Sequence, residues 1–307
     1  MGFSIVGEGV ASQRKEKLLT AIFGSFPCLP SSDRLPHMTF HLLAQRLFEE
    51  FRKIDEFKNT QYHSKITRDR KAVCVFVSSA VLLTLMNFVV LSAQFQSFVS
   101  DYLSVQIGFM PEGWLRDFLQ RLEPLYRLFA WSLGCLAVYF VMPVLIIRFG
   151  FREPLKNYGF SPSGFIKHLK VYVVLYIPVA LAVALLSFTP QFQATYPFYH
   201  EPEGLLDFVL WEVLYCLQFF ALEFFFRGFF IHALKWKLGY MAIFAMVVPY
   251  CMIHFHKPFL EALGAIVAGT VLGLLSLRTN TIWGGVVIHC AVAMTMDVAS
   301  LVQRGVF

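Results

Sequence analysis

The amino-acid sequence predicts an all-α fold: a polytopic integral membrane helical bundle of about seven transmembrane helices, with a cytosolic, basic, amphipathic N-terminal segment. Three observations lead there. Of 307 residues, 57% are hydrophobic and only 15% charged, whereas a soluble globule carries roughly 25% charged residues to face water. Aromatic residues make up 17%, with 34 Phe, a content that suits lipid-facing helices and interfacial belts and does not suit disorder. Apolar runs of spanning length recur from residue 72 to residue 302.

In chain order, residues 1–71 hold no spanning run and form the N-terminal segment. Met1 to Gln13 lack the basic-then-apolar order of a cleavable signal peptide. Val6 stands where a myristoylation motif starting at Gly2 requires Ser or Thr. Phe40, Ala44, Leu47, Phe51 and Ile54 recur at steps of three and four, with Arg46, Glu49, Glu50, Arg52 and Lys53 between them. That pattern predicts an amphipathic helix, packed on the protein's own cytosolic face or laid on anionic lipid.

A spanning helix needs roughly 20 apolar residues, and seven windows approach that length: 72–95, 128–147, 171–188, 205–226, 238–255, 259–277 and 282–302. The first three spans occupy 72–204, and the remaining four form a C-terminal core over 205–302. Lys and Arg collect on cytoplasmic loops. Arg148, Arg152, Lys156, Lys167 and Lys170 lie between the second and third spans, Lys235 and Lys237 between the fourth and fifth, and Arg278 between the sixth and seventh. The loop 189–204 has none, so the N-terminus is expected in the cytoplasm and the C-terminus outside. The formal charge of +6 arises mostly in the N-terminal segment, which implies a lipid bilayer as partner and no nucleic acid. Cys28, Cys74, Cys135, Cys216, Cys251 and Cys290 form no CxxC pair and read as small core residues. No internal repeat of the kind many transporters carry is visible.

Function is sought among ionisable residues placed in hydrocarbon, where each is costly and therefore a functional candidate. They are Glu212, Glu223, Arg227, His254, His289 and Asp297, with Glu261 nearer a span end. Glu223 and Arg227 are four apart in an otherwise apolar run, on one helical face. Such a pair can neutralise itself and hold a helix, or it can frame a carboxylate that acts as general base in a dry cavity. His254 and His289 lie on two other spans. Each alone fits a satisfied core histidine; with Glu223 they form a set able to activate water or, as two His and one carboxylate, to hold a divalent metal such as zinc. His256 is a weak fourth candidate. Glu212, about 16 Å along the axis from Glu223, is expected to bond a neighbouring span, and Asp297 is not expected to pair with His289. Counting from the cytoplasmic span ends places Glu223 and His289 about 10 Å deep and His254 about 20 Å deep, so span five has to tilt or break, and Pro249 supplies the means.

Taken in order, Glu223-Phe-Phe-Phe-Arg227-Gly228, Tyr250-Cys-Met-Ile-His254, and Arg278-Thr-Asn-Thr-Ile-Trp283 leading to His289 resemble the CAAX protease and bacteriocin-processing family of intramembrane proteases. That family's pattern is EExxxR, FxxxH and HxxxN or HxxxD on consecutive membrane helices, and its best-known members are the type II CAAX prenyl endopeptidases. The resemblance covers residues 205–302. It implies an intramembrane endopeptidase that hydrolyses a peptide bond of a membrane-associated, prenylated or peptide substrate. Glu223 would deprotonate a water, His254 and His289 would polarise the scissile carbonyl, and Arg227 would complete the site. Whether a metal assists is left open. Two positions depart from the pattern: Leu222 occupies the place of the first glutamate, and Ala293 that of the Asn or Asp. Two other readings therefore stand beside the enzyme: a protease-fold membrane scaffold or immunity-type protein, and a transporter.

Overall fold

The computed structural model describes residues 45, 49–53, 66–162, 165–200, 202 and 204–305. Phe40, Ala44, Leu47 and Ile54 of the expected amphipathic helix lie outside the described residues. Residues 49–53 of that segment are helical, and Phe51 packs against Tyr240 and Phe244, with ring centroids 5.2 and 5.6 Å away.

The described residues form a helical bundle. Helix α1 (Arg68–Leu85) continues as a π-helical turn to Val90. Helices α2 (Ala93–Gly108) and α3 (Trp114–Arg121) precede α4 (Glu123–Phe151). Then follow α5 (Phe165–Leu186), α6 (Pro190–Thr195), α7 (Leu205–Leu238), α8 (Met241–Met252), α9 (Phe259–Thr279) and α10 (Trp283–Gln303). Side-chain oxygens of Thr67, Ser92 and Thr189 accept backbone N–H groups at the starts of α1, α2 and α6, satisfying donors a helix leaves open.

Six of these helices, α1 with its π turn, α4, α5, α7, α9 and α10, are long and apolar enough to cross a bilayer. The protein is an integral multi-pass membrane protein. The window at 238–255 behaves differently from the other six. Its helix, α8, has 12 residues and reaches about 18 Å, short of the ~30 Å hydrocarbon core. Gly239, at φ 61°, ends α7 and turns the chain into α8. Pro249 removes a backbone donor inside α8, and a run of turns at 253–256 follows before Pro258 starts α9.

Helix α7 runs through the middle of the bundle and packs on α4 and α10, with its last turns against α1. Its stretch Phe224–Ile231 is π-helical and buried at every residue, as a helix apolar all round must be. Phe224, Phe225, Phe226 and Phe229 interleave with Tyr139, Phe140 and Phe151 of α4. Helix α8 packs on α9, and α10 on α5.

Ion pairs tie the bundle at both ends. At the basic end, Lys71 bonds both oxygens of Glu153 at 2.9 and 2.7 Å, Lys237 pairs with Asp69, and Arg278 pairs with Glu50. At the opposite end Tyr196 donates to Glu261 at 2.7 Å and accepts from Lys257 at 3.0 Å. Burial, together with nearby Tyr215 and Glu261, holds the Tyr196 phenol well above its ordinary range, so it stays a neutral donor.

Candidate active site

Glu223 is the last residue before the π-helical stretch of α7, a kind of local rewinding often found at functional sites. Its carboxylate is fully buried, and one oxygen, Oε1, holds two partners. Arg227 Nη1 lies 3.0 Å away, and His289 Nδ1 of α10 is 2.9 Å away. A carboxylate can only accept here, so Nδ1 carries the hydrogen and Nε2 is left as the free nitrogen. The His289 ring stacks on Phe219 of α7, 4.4 Å between centroids and 23° between planes. With 16% of its side chain exposed, His289 is the member of the pair that a water molecule reaches.

The close approach of α7 to α10 depends on a glycine. A Cβ added at Gly285 would stand 2.3 Å from Glu223 Oε2, so no other residue leaves the carboxylate in place. The neighbouring Gly284 admits Tyr172 of α5 in the same manner, with the ring 1.9 Å from an added Cβ. Gly285→Ala is accordingly expected to displace Glu223 from His289 and to destabilise the bundle by about 1–3 kcal/mol. Thermal unfolding in detergent checks it; a variant as stable as wild type would contradict the tight seam.

Arg227 is equally buried and is held from its other side by an aromatic face, its guanidinium carbon 4.0 Å from the Tyr250 ring centroid. Tyr250 of α8 also organises His254. The Tyr250 carbonyl accepts from His254 Nδ1 at 2.8 Å, which again leaves Nε2 free. The Tyr250 ring lies 4.9 Å from the His254 ring and 6.5 Å from that of His289. Gly269 of α9 makes room for Tyr250, since a Cβ there would meet the ring at 3.0 Å.

Of the residues singled out from the sequence, Glu223, Arg227 and His289 are in direct contact, and His254 is joined to them across Tyr250. Depth does not keep them apart: α7 continues to Leu238, so Glu223 lies about 20 Å from the basic end. That matches His254 at the far end of α8. The short α8, and no tilt of a full span, brings His254 to this level. His256 is exposed. Asp297 accepts from Trp211 Nε1 at 2.8 Å and stands apart from His289. Glu212 is buried, yet neither oxygen has a hydrogen-bond partner among the described residues, so the expected bond to a neighbouring span is not formed. Leu222 packs partly buried against the central core. Ala293 is buried in one apolar cluster with Trp211, Tyr215 and Phe219. Phe219 and Gly285 were not legible as site residues; the signals were an aromatic one turn before Glu223 and a Gly-Gly pair inside a helix.

The donor set does not suit a metal ion. Among the described residues no group of three or more His, Cys, Asp or Glu side chains converges on one point. His289 Nδ1 and Glu223 Oε1 are engaged with each other and with Arg227, while Glu223 Oε2 has no hydrogen-bond partner among the described residues.

Residues 204–295 match the family described as Type II CAAX prenyl endopeptidase Rce1-like. That segment is CAAX-protease-like. It contains Glu223, Arg227, Tyr250, His254, Gly285 and His289, and so takes in every side chain of the site. No curated protein and no solved structure matches the chain.

Proposed function

We propose that the protein is an intramembrane endopeptidase in which His289, oriented by Glu223, takes a proton from the attacking water. The observation that carries this reading is the 2.9 Å contact between His289 Nδ1 and Glu223 Oε1, inside a segment similar to type II CAAX prenyl endopeptidases. Arg227 supplies the counter-charge beside Glu223 in an apolar interior. The carboxylate then fixes the Nδ1–H tautomer and stabilises the imidazolium that forms, the role a buried carboxylate plays toward a histidine base. His289 Nε2 accepts the proton of water and later returns it to the leaving amine. His254 Nε2 holds the second hydrogen of that water, its ring fixed by the Tyr250 carbonyl. Sparse dipoles in a low-dielectric interior act strongly. In this arrangement Glu223 acts through His289, where the sequence suggested that it act on water directly. The substrate is a membrane-associated peptide, entering from the cytoplasm with the basic end of the bundle inside.

The second reading, a protease-fold scaffold, is favoured by Leu222 and Ala293, where apolar side chains stand at two polar family positions and pack well. Peptide cleavage by the purified protein, alone and as Leu222→Glu, separates the two. Restoring the carboxylate is expected to raise kcat by about tenfold or more, the usual size of a positioned acid–base contribution being roughly 100-fold or above. Wild type and Leu222→Glu that both remain inert on every peptide pool would leave the scaffold.

A further inference from the structure

We infer that Tyr196 is a positioning residue that sets His254 against His289, acting through Lys257. Its consequence for catalysis rests on the proteolytic reading; the contacts that make the tie do not. The two histidines come from different elements, His289 from α10 and His254 from the turns that follow α8. Between them in the chain runs α9, which packs along α8 and only sparsely on α10. Tyr250 fixes the His254 ring through its carbonyl, but the backbone of the turns at 253–256 has no helix to hold it. A working pair of rings has to stay close to its productive geometry, so that backbone needs an anchor related to α10.

Tyr196 supplies the anchor with both of its polar ends. It is fully buried and directly follows α6. Its carbonyl oxygen accepts from Ser300 Oγ and, at 2.9 Å, from Arg304 Nη2, at the far end of the helix that carries His289. Its hydroxyl donates to Glu261 Oε2 at 2.7 Å and accepts from Lys257 Nζ at 3.0 Å. Lys257 Nζ also pairs with Glu261 at 2.9 Å and stands 5.3 and 5.2 Å from the ring centroids of Tyr196 and Phe198, which adds attraction to the aromatic faces. The Lys257 backbone N–H donates to the His254 carbonyl at 3.0 Å and closes the turn. One line of contacts thus runs from His254 through Lys257 and Tyr196 to Ser300, and α10 is unbroken from there back to His289. In the proposed reaction the two Nε2 atoms share one water, and a misplacement of about 1 Å costs up to about 100-fold in rate.

The test uses the full chain in phospholipid nanodiscs and has two readings. The first needs no activity: the rates at which diethylpyrocarbonate modifies His254 and His289, resolved by tandem mass spectrometry. Tyr196→Phe, which keeps the ring and removes the hydroxyl, is expected to speed His254 by about threefold or more, as local opening frees a held group, and to leave His289 unchanged. Lys257→Met, at a side chain 23% exposed, is expected to do the same. The double variant is expected to do no more than either alone, since both changes cut one line of contacts. The second reading is peptide cleavage, in which either variant is expected to lower kcat by about tenfold or more with KM unchanged. Lys257→Arg, which keeps the cation, is expected to retain the wild-type kcat. An unchanged His254 rate in both variants, an equal rise at both histidines, additive effects in the double variant, a loss confined to KM, or a Lys257→Arg protein as impaired as Lys257→Met would each overturn the inference. A wild type inert on every peptide pool removes the proteolytic reading alone, and the His254 rates still decide whether Tyr196 holds the turn.

Discussion

Glu223→Gln is expected to lower kcat by roughly 10³–10⁴, the loss seen when a carboxylate that orients a catalytic histidine becomes an amide. Glutamine preserves the volume enclosed by Gly285, and its carbonyl can still accept from His289 Nδ1. What it lacks is the negative charge that stabilises the imidazolium. His289→Gln is expected to lose at least as much. The amide also leaves Arg227 without its counter-charge, so the change is made a second time beside Arg227→Met, which removes the stranded cation. The double variant should fold like wild type and still fail to cleave. A Glu223→Gln protein with wild-type kcat would remove the carboxylate from the mechanism. Cleavage retained in His289→Gln but lost in Glu223→Gln would instead make Glu223 the base that acts on water.

Arg227→Met alone is expected to be the most destabilising single change at the site. Both members of the pair are almost entirely shielded from solvent, 1% and 0% exposed. Truncating one leaves a buried charge without compensation, at a cost of about 3–5 kcal/mol. The lost contact with Tyr250, 4.0 Å from the guanidinium, adds about 1–2 kcal/mol. For a chain of this length that corresponds to an apparent Tm lower by roughly 5–10 °C, read by thermal unfolding in detergent. Pairing it with Glu223→Gln should recover most of the loss, because a neutral pair requires no counter-charge. The idea fails if Arg227→Met unfolds at the wild-type temperature, or if the double variant is less stable than Arg227→Met.

The two experiments together separate chemistry from architecture. Arg227 lies 3.0 Å from the buried Glu223 carboxylate, and the proposed mechanism uses the same carboxylate to orient the histidine. The same two atoms thus serve stability and the proposed reaction, and only the double variant tells the contributions apart.

Much of this was written along the chain. Hydropathy alone delimited seven windows, six of which are helices long and apolar enough to cross a bilayer, because a helix in hydrocarbon must satisfy its own backbone with apolar side chains outward, and that constraint is local. Ionisable residues in such runs are rare enough that Glu223, Arg227, His254 and His289 could be picked out one by one, and their order and spacing carried the resemblance to CAAX proteases. Three matters needed the tertiary structure. Window 238–255 has the hydropathy of a span, yet Gly239, Pro249 and the turns at 253–256 confine its helix to Met241–Met252, a result of backbone geometry to which average hydropathy is blind. The role of Glu223 depends on which atoms meet its carboxylate, and the histidine among them comes from α10, 66 residues away. Gly285 gains its meaning only from the carboxylate that packs against it, and Tyr250 only from the guanidinium on its face. Composition and period specify which face of a helix is buried; which neighbour fills that face is settled by close packing between segments distant in sequence.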